Sequence, residues 1–221
     1  MKTVAVVPSF VEEETVKDTV SSLRTINSVE RVIVVDDASS DGTARLAGEA
    51  GASVVVNGCN LGKGDSLNRV LPNLDFDVLI LIDGDLGEYA AQAVLLLEPV
   101  LLGEADLAIA AFGAPTLKGG FGIAQGLGRL GIKYLTGRQM KSPLSGQRAM
   151  TREAYGLVAP FAQGFGMEVA MTIDALRAGL RVVEVQTTMS HRQTGRDLAG
   201  FVHRGKQFRD ILLAIARRAE T

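Results

Sequence analysis

Four short runs, "TVAVVP", "RVIVVD", "ASVVV" and "VLILID", are apolar at almost every position and rich in β-branched residues. A strand wetted on one face alternates polar and apolar residues, so unbroken runs of this kind suit strands covered on both faces. Between them, "EEETVKDTVSSLRTI", "DGTARLAGEAG" and "GKGDSLNRVLPNL" carry apolar residues at helical spacing. Ser40 or Asp41 can cap the second of these helices, and Gly51 can end it. Strand and helix thus alternate, which predicts an α/β fold with a mostly parallel central sheet and helices on both faces. Further strands are expected at "ADLAIAAF" and "RVVEVQTT". With 221 residues, 47% of them hydrophobic, the chain can bury a sizeable core and is expected to form a single domain over residues 1–221.

Other classes fall away. Lys and Arg number 23 against 25 Asp and Glu, a net charge of −2, so no broad basic field exists for nucleic acid. The single cysteine, Cys59, cannot form an internal disulfide, nothing adjacent lowers its thiol pKa, and it fits a reducing compartment. "MKTVAVVPSF" does not read as a secretory signal. No apolar run reaches the roughly 18 residues of a membrane span. A cytoplasmic location is expected.

Open α/β sheets hold ligands beyond the carboxyl ends of their strands. Four such ends carry polar clusters, "PSFVEEE", "DDASSDGT", "NGCNLGKGDS" and "DGD". One pocket could gather Glu12, Asp36, Asp37, Lys63, Asp83 and Asp85. The glycine fingerprint of dinucleotide folds is missing after the first strand, where Pro8, Ser9 and Phe10 stand, and "GKGDS" lacks the upstream glycine of a P-loop. In "LILIDGDLGE" an apolar strand runs straight into Asp83 and Asp85. Two carboxylates half out of water repel unless a cation lies between them. Mg²⁺ or Mn²⁺ takes oxygen ligands and bridges carboxylates to substrate phosphates, so a divalent cation and a nucleoside diphosphate are expected. The competing reading is that the pair caps a helix beginning near Tyr89.

"VVDDASSDGT", "NLGKGDSLN" and "LIDGDL" together resemble, in order and spacing, the nucleotide-sugar half of family-2 glycosyltransferases of the GT-A fold. The resemblance implies a nucleotide-sugar half over residues 1–112 and an acceptor half over 113–221. It implies that Asp37, with Asp36 beside it, contacts the base or ribose of a UDP- or GDP-sugar, that Pro8, Phe10 and Glu12 line the nucleoside slot, that Lys63 lies near the diphosphate, and that Asp83 and Asp85 hold the metal. Two residues depart from the pattern. Val11 stands where the family usually has Asn, and Gly87 where dolichyl-phosphate mannose synthases have a metal-supporting Gln. "SPLSGQRAM", "GFGMEVAMTIDALRAGLRVVEV" and "SHRQTGRD" look like the acceptor half of glucosyl-3-phosphoglycerate synthases. That likeness implies His191 as an imidazole ligand to the metal, against its reading as a surface residue.

Asp85 and Glu168 are the catalytic candidates. Glu168 is either near the acceptor, as its base, or a first-turn carboxylate favouring the helix dipole. Arg148, Arg192 and Arg196 could bind a phosphate or carboxylate through their guanidinium forks. At Ser145 and Gly146 a tight turn could let an acceptor hydroxyl approach. The acceptor could be a small phosphorylated molecule, a polyprenyl phosphate or an envelope glycan. Residues 115–143 look like a lid or acceptor loop carrying a helix. From Leu198 to Arg218 a basic amphipathic helix is expected, with Phe201, Phe208, Leu212 and Ile215 near one face. It either packs on the domain or binds weakly to an anionic membrane surface; His203 on it reads as a solvated residue. The non-enzyme alternative is a degenerate transferase fold kept as a binding or scaffold subunit, motivated by Val11 and Gly87.

Overall fold

The computed structural model describes residues 1–112, 121–189 and 198–220; His191, Arg192 and Arg196 lie outside them. Seven strands form one sheet: β1 (Thr3–Ser9), β2 (Arg31–Asp36), β3 (Ser53–Val56), β4 (Val78–Leu81), β5 (Leu107–Phe112), β6 (Arg148–Thr151) and β7 (Val182–Thr187). Their order is β3-β2-β1-β4-β6-β5-β7. β1, β2, β3 and β4 run parallel, as do β5 and β7, while β6 lies antiparallel between β4 and β5.

Alternate residues feed two cores, because successive side chains point to opposite faces. Val4, Val6, Ile33, Val35, Leu79 and Leu81 pack on one side with α3 (Lys63–Val70), α6 (Arg152–Val158) and α7 (Met167–Arg177). On the other, Ala5, Val7, Val32, Val34, Ile80 and Ile82 meet α1 (Val16–Arg24), α2 (Thr43–Glu49) and α4 (Ala93–Leu101). β4 is buried throughout, and each fully buried Leu or Ile there contributes about 1.5–3 kcal/mol. The second helix ends as expected, with Gly51 at φ +93° just past it, and Asp41 Oδ1 accepts the Thr43 N–H at 3.0 Å.

Four expectations change. "ASVVV" forms β3, the sheet edge, and is half-exposed because β2 alone pairs with it. The segment after Asp83 is a kinked 3-10 stretch, Gly84–Gln92, and the true helix starts at Ala93. β6 was not evident in the sequence, since "RAMT" is four residues long and opens on a charged one. On α8 (Leu198–Ala219), which packs against α5 (Phe121–Thr136), α7 and the Gly164–Gly166 turn, the buried face is Gln207, Ile211 and Ala214. Phe208 and Leu212 face outward instead.

Running against β4, β6 pairs Arg148 with Leu81. That register brings the 145–148 segment to the strand edge where Asp83 emerges.

Candidate functional site

The carboxyl ends of β1 and β4, the start of α3, the 144–146 segment, the Phe165 turn, the start of α7 and α8 surround a cleft of about 300 Å³. Its lining includes Pro8, Glu12, Lys63, Asp83, Asp85, Gly146 and Glu168, all singled out from the sequence, together with Leu144, Phe165 and Gln207, which were not. A smaller slot of about 110 Å³ adjoins it, lined by Pro8, Ser9, Phe10, Val35, Asp37, Lys63 and Ser66. Lys63 belongs to both.

Asp83 does not behave as a helix cap, for its side chain caps nothing. Its Oδ1 meets Lys63 Nζ at 2.6 Å, and its Oδ2 accepts from Gln147 Nε2 at 2.9 Å. Gln147 Oε1 in turn accepts the Asp83 N–H at 3.0 Å, so a buried amide holds this residue at both ends. Lys63 Nζ also reaches Glu168 Oε1 at 3.1 Å. Burial by itself would push this ammonium down, but the Asp83 and Glu168 carboxylates outweigh it and hold the pKa above the usual lysine value. Gly146 permits the arrangement. A Cβ there would come within 2.5 Å of Lys63 Nζ and 2.6 Å of Asp83 Oδ2.

Asp37 anchors the wall of the slot. Its Oδ1 accepts from Asn57 Nδ2 at 2.9 Å, the Leu61 N–H at 2.9 Å and Ser66 Oγ at 2.7 Å, and its Oδ2 accepts the Gly62 N–H at 2.7 Å. Burial alone would raise its pKa, yet these donors favour the charged form and bring it below the ordinary carboxylate value. Asp36 binds the Ser39 N–H and hydroxyl. A second set of bonds pins the loop after β1: the N–H groups of Val11, Glu12 and Glu13 donate to Ser39 Oγ, Thr43 Oγ1 and Asp41 Oδ2 at 2.9, 2.8 and 3.2 Å.

Arg148 requires a correction. The sequence suggested an acceptor-binding fork, but the side chain is fully buried and donates to Ser145 O at 2.9 Å, Thr172 Oγ1 at 3.0 Å and Glu168 O at 2.9 Å. Burial pushes its pKa down to about 10, so it remains charged near neutrality. It braces the start of α7 under Glu168 rather than meeting a ligand. Ser145 is buried beside it, its Oγ without a hydrogen-bond partner among the described residues.

Among the described residues no group of three or more His, Cys, Asp and Glu is arranged to enclose a metal. The donor chemistry still fits one. Four carboxylates line one cleft, and two of them already hold a cation, the Lys63 ammonium. Oxygen-only donors suit Mg²⁺ or Mn²⁺, with substrate phosphates completing the shell.

Residues 4–143 match the family described as Glycosyl transferase family 2. The chain belongs to glycosyltransferase family 2. It is 31% identical over 195 residues to glycosyltransferase AglJ of Haloferax volcanii, covering 86% of this chain and 63% of that one. An undecaprenyl-phosphate mannosyltransferase of Micrococcus luteus is 30% identical over 214 residues, covering 88% and 86%. The fold matches a crystal structure of glucosyl-3-phosphoglycerate synthase from Mycobacterium tuberculosis in complex with Mn²⁺, uridine diphosphate and glucosyl-3-phosphoglycerate. That likeness has a TM-score of 0.81 at 28% identity and covers 98% of this chain and 79% of the other. The GT-A fold implied by the motifs is therefore the one observed.

Proposed function

We propose that this protein is a metal-dependent glycosyltransferase that moves a sugar, a hexose in the first instance, from a nucleoside-diphosphate donor to a phosphate-bearing acceptor. The observation that carries this reading is the union of two pockets at Lys63. An apolar slot floored by an anchored carboxylate suits a nucleoside, and the acidic cleft beside it suits a diphosphate with its cation. Pro8 and Phe10 give the base an apolar wall, and Asp37 holds the loop behind it. Asp85, with Asp83, would hold the cation, and His191 is the candidate third ligand. When bound, the cation supplies Lewis-acid stabilisation of the leaving diphosphate. Glu168 lies on the cleft wall at the start of α7, where it can orient an acceptor or take its proton.

The relatives support the acceptor class. One named for undecaprenyl phosphate and one bound to glucosyl-3-phosphoglycerate both handle a phosphate-bearing partner. We propose further that α5 and α8 rest on an anionic membrane surface, which would favour a lipid-linked acceptor. Among the described residues no helix is long and apolar enough to cross a membrane.

A thermal-shift screen of UDP-, GDP- and ADP-sugars with Mn²⁺ tests the donor. A ligand present at about 100 times its Kd and bound only by the native state adds about 2.7 kcal/mol. A rise with one nucleotide is expected, and for Asp85→Ala the Mn²⁺-dependent part of that rise should vanish while the free protein melts as before. Wild-type turnover by purified Asp85→Ala, or no shift with any nucleotide sugar, would sink the reading.

A further inference from the structure

We infer that Lys63 couples the cation to the donor: its ammonium competes with the metal for Asp83 and is drawn off by the incoming diphosphate. The inference rests on the diphosphate reading of the cleft. Five ionisable residues line the cleft among those described, the acids Glu12, Asp83, Asp85 and Glu168 and the single cation Lys63. The described lining is thus strongly anionic, and these residues alone would repel a bare diphosphate. Lys63 offsets part of that charge by bonding Asp83 at 2.6 Å and Glu168 at 3.1 Å. While it does so, a divalent ion approaching Asp83 meets an ammonium in contact with that carboxylate.

The position of Lys63 makes a switch feasible. It is the first residue of α3 and faces both the slot and the cleft, so a diphosphate joining the two would pass its Nζ. Four rotatable bonds let the ammonium turn from Glu168 to a phosphate oxygen without moving the helix. That one movement has two effects. The carboxylates lose an internal counter-ion, so they hold the divalent cation more tightly, and Glu168 is released toward the acceptor only once the donor is in place. Gly146 keeps the resting state accessible, since any side chain there would strike both partners of the Lys63–Asp83 pair. Coupling of this sort is reciprocal: the factor by which UDP tightens Mn²⁺ is the factor by which Mn²⁺ tightens UDP.

The test is a Mn²⁺ titration of the full chain followed by electron paramagnetic resonance, with and without UDP. Lys63→Met removes the competing cation. It should bind Mn²⁺ alone roughly five- to tenfold more tightly than wild type, and the extra tightening given by UDP should shrink by a similar factor, within the usual range of coupling between sites. Lys63→Arg keeps the charge and should restore weak Mn²⁺ binding in the absence of UDP, which a merely structural role would not do. Lys63→Gln, which also removes the charge and leaves Asp83 untouched, should shift Mn²⁺ binding in the same direction and carries the test if Lys63→Met does not fold. Equal Mn²⁺ affinity in wild type and Lys63→Met, or an undiminished gain from UDP in Lys63→Met, overturns the role of Lys63 alone. If wild type binds no UDP with Mn²⁺ present, the diphosphate reading falls with it.

Discussion

Val11 has φ +59°, a left-handed conformation that β-branched residues rarely adopt. The chain imposes it, because three successive N–H groups from Val11 to Glu13 are committed to the side chains of Ser39, Asp41 and Thr43. Packing does not compensate, since the residue is 48% exposed. The left-handed form costs an ordinary residue about 1–2 kcal/mol, and Asn tolerates it far better. Val11→Asn should therefore stabilise the protein by about 1 kcal/mol, raising Tm by about 2–4 °C for a domain of this size. Calorimetry decides it, and a lower Tm would count against strain at this position. Gly87 answers to the same kind of demand. At φ +54° and ψ −133° it bends the chain after Asp85, with its N–H on Thr19 Oγ1 at 2.8 Å, and a Gln there would be strained whatever the space. Both departures from the family pattern were visible in the sequence as unusual residues. Their backbone angles were not, so one looked like a lost contact when it is a conformational requirement.

At the scale of elements, the apolar runs and polar strand ends were legible, because burial on two faces leaves a continuous hydrophobic signature. β6 left none: its first residue is a buried arginine satisfied by two carbonyls and a hydroxyl, a pattern that only the folded neighbourhood explains. Gln147 escaped notice for the same reason, though it fixes Asp83 from both sides. The sequence singles out Asp37, but not as the anchor of the Asn57–Gly62 loop. That anchoring has a pH signature. Asp37 has a depressed folded pKa, so its stabilisation is full above the unfolded carboxylate pKa and is lost as pH falls through the folded one. Asp37→Asn sets an amide against the Gly62 N–H or the Oδ1 donors, leaving at least one buried donor unmet at a cost of about 1–3 kcal/mol. Urea unfolding should show that deficit at pH 7 and a smaller one at pH 3. A deficit independent of pH would assign the loss to shape rather than charge.

Over the whole molecule, all seven strands form one sheet, with β6 joining β4 to β5. Helical spacing puts Phe201, Phe208, Leu212 and Ile215 near one face of the C-terminal helix, but contact with α7 and the Gly164–Gly166 turn rotates Ile211 and Ala214 inward, with Ile215 partly buried beside them. Helical spacing alone could not choose between these adjacent faces. The ion pair of Arg218 with Asp174 and the Arg177 bond to Arg218 O secure the far end of α8 to α7. Phe208 and Leu212 are consequently left in water, beside α5 with its own outward Leu130 and Tyr134, the latter 85% exposed. Arg129, Lys133, Lys206, Arg209 and Arg217 lie exposed on the same two helices. Exposed apolar and basic residues on two packed helices fit the interface of an anionic bilayer, where each basic residue near the surface contributes about 1 kcal/mol. Co-sedimentation with vesicles rich in anionic lipid should carry the protein into the pellet at low salt and release it at high salt, as screening shortens the reach of those charges. Leu130→Ser with Phe208→Ser should weaken pelleting at low salt without altering UDP binding, because neither residue lines the cleft or the slot. Protein that stays in the supernatant at low salt would leave these outward residues without a lipid role and favour a small soluble acceptor.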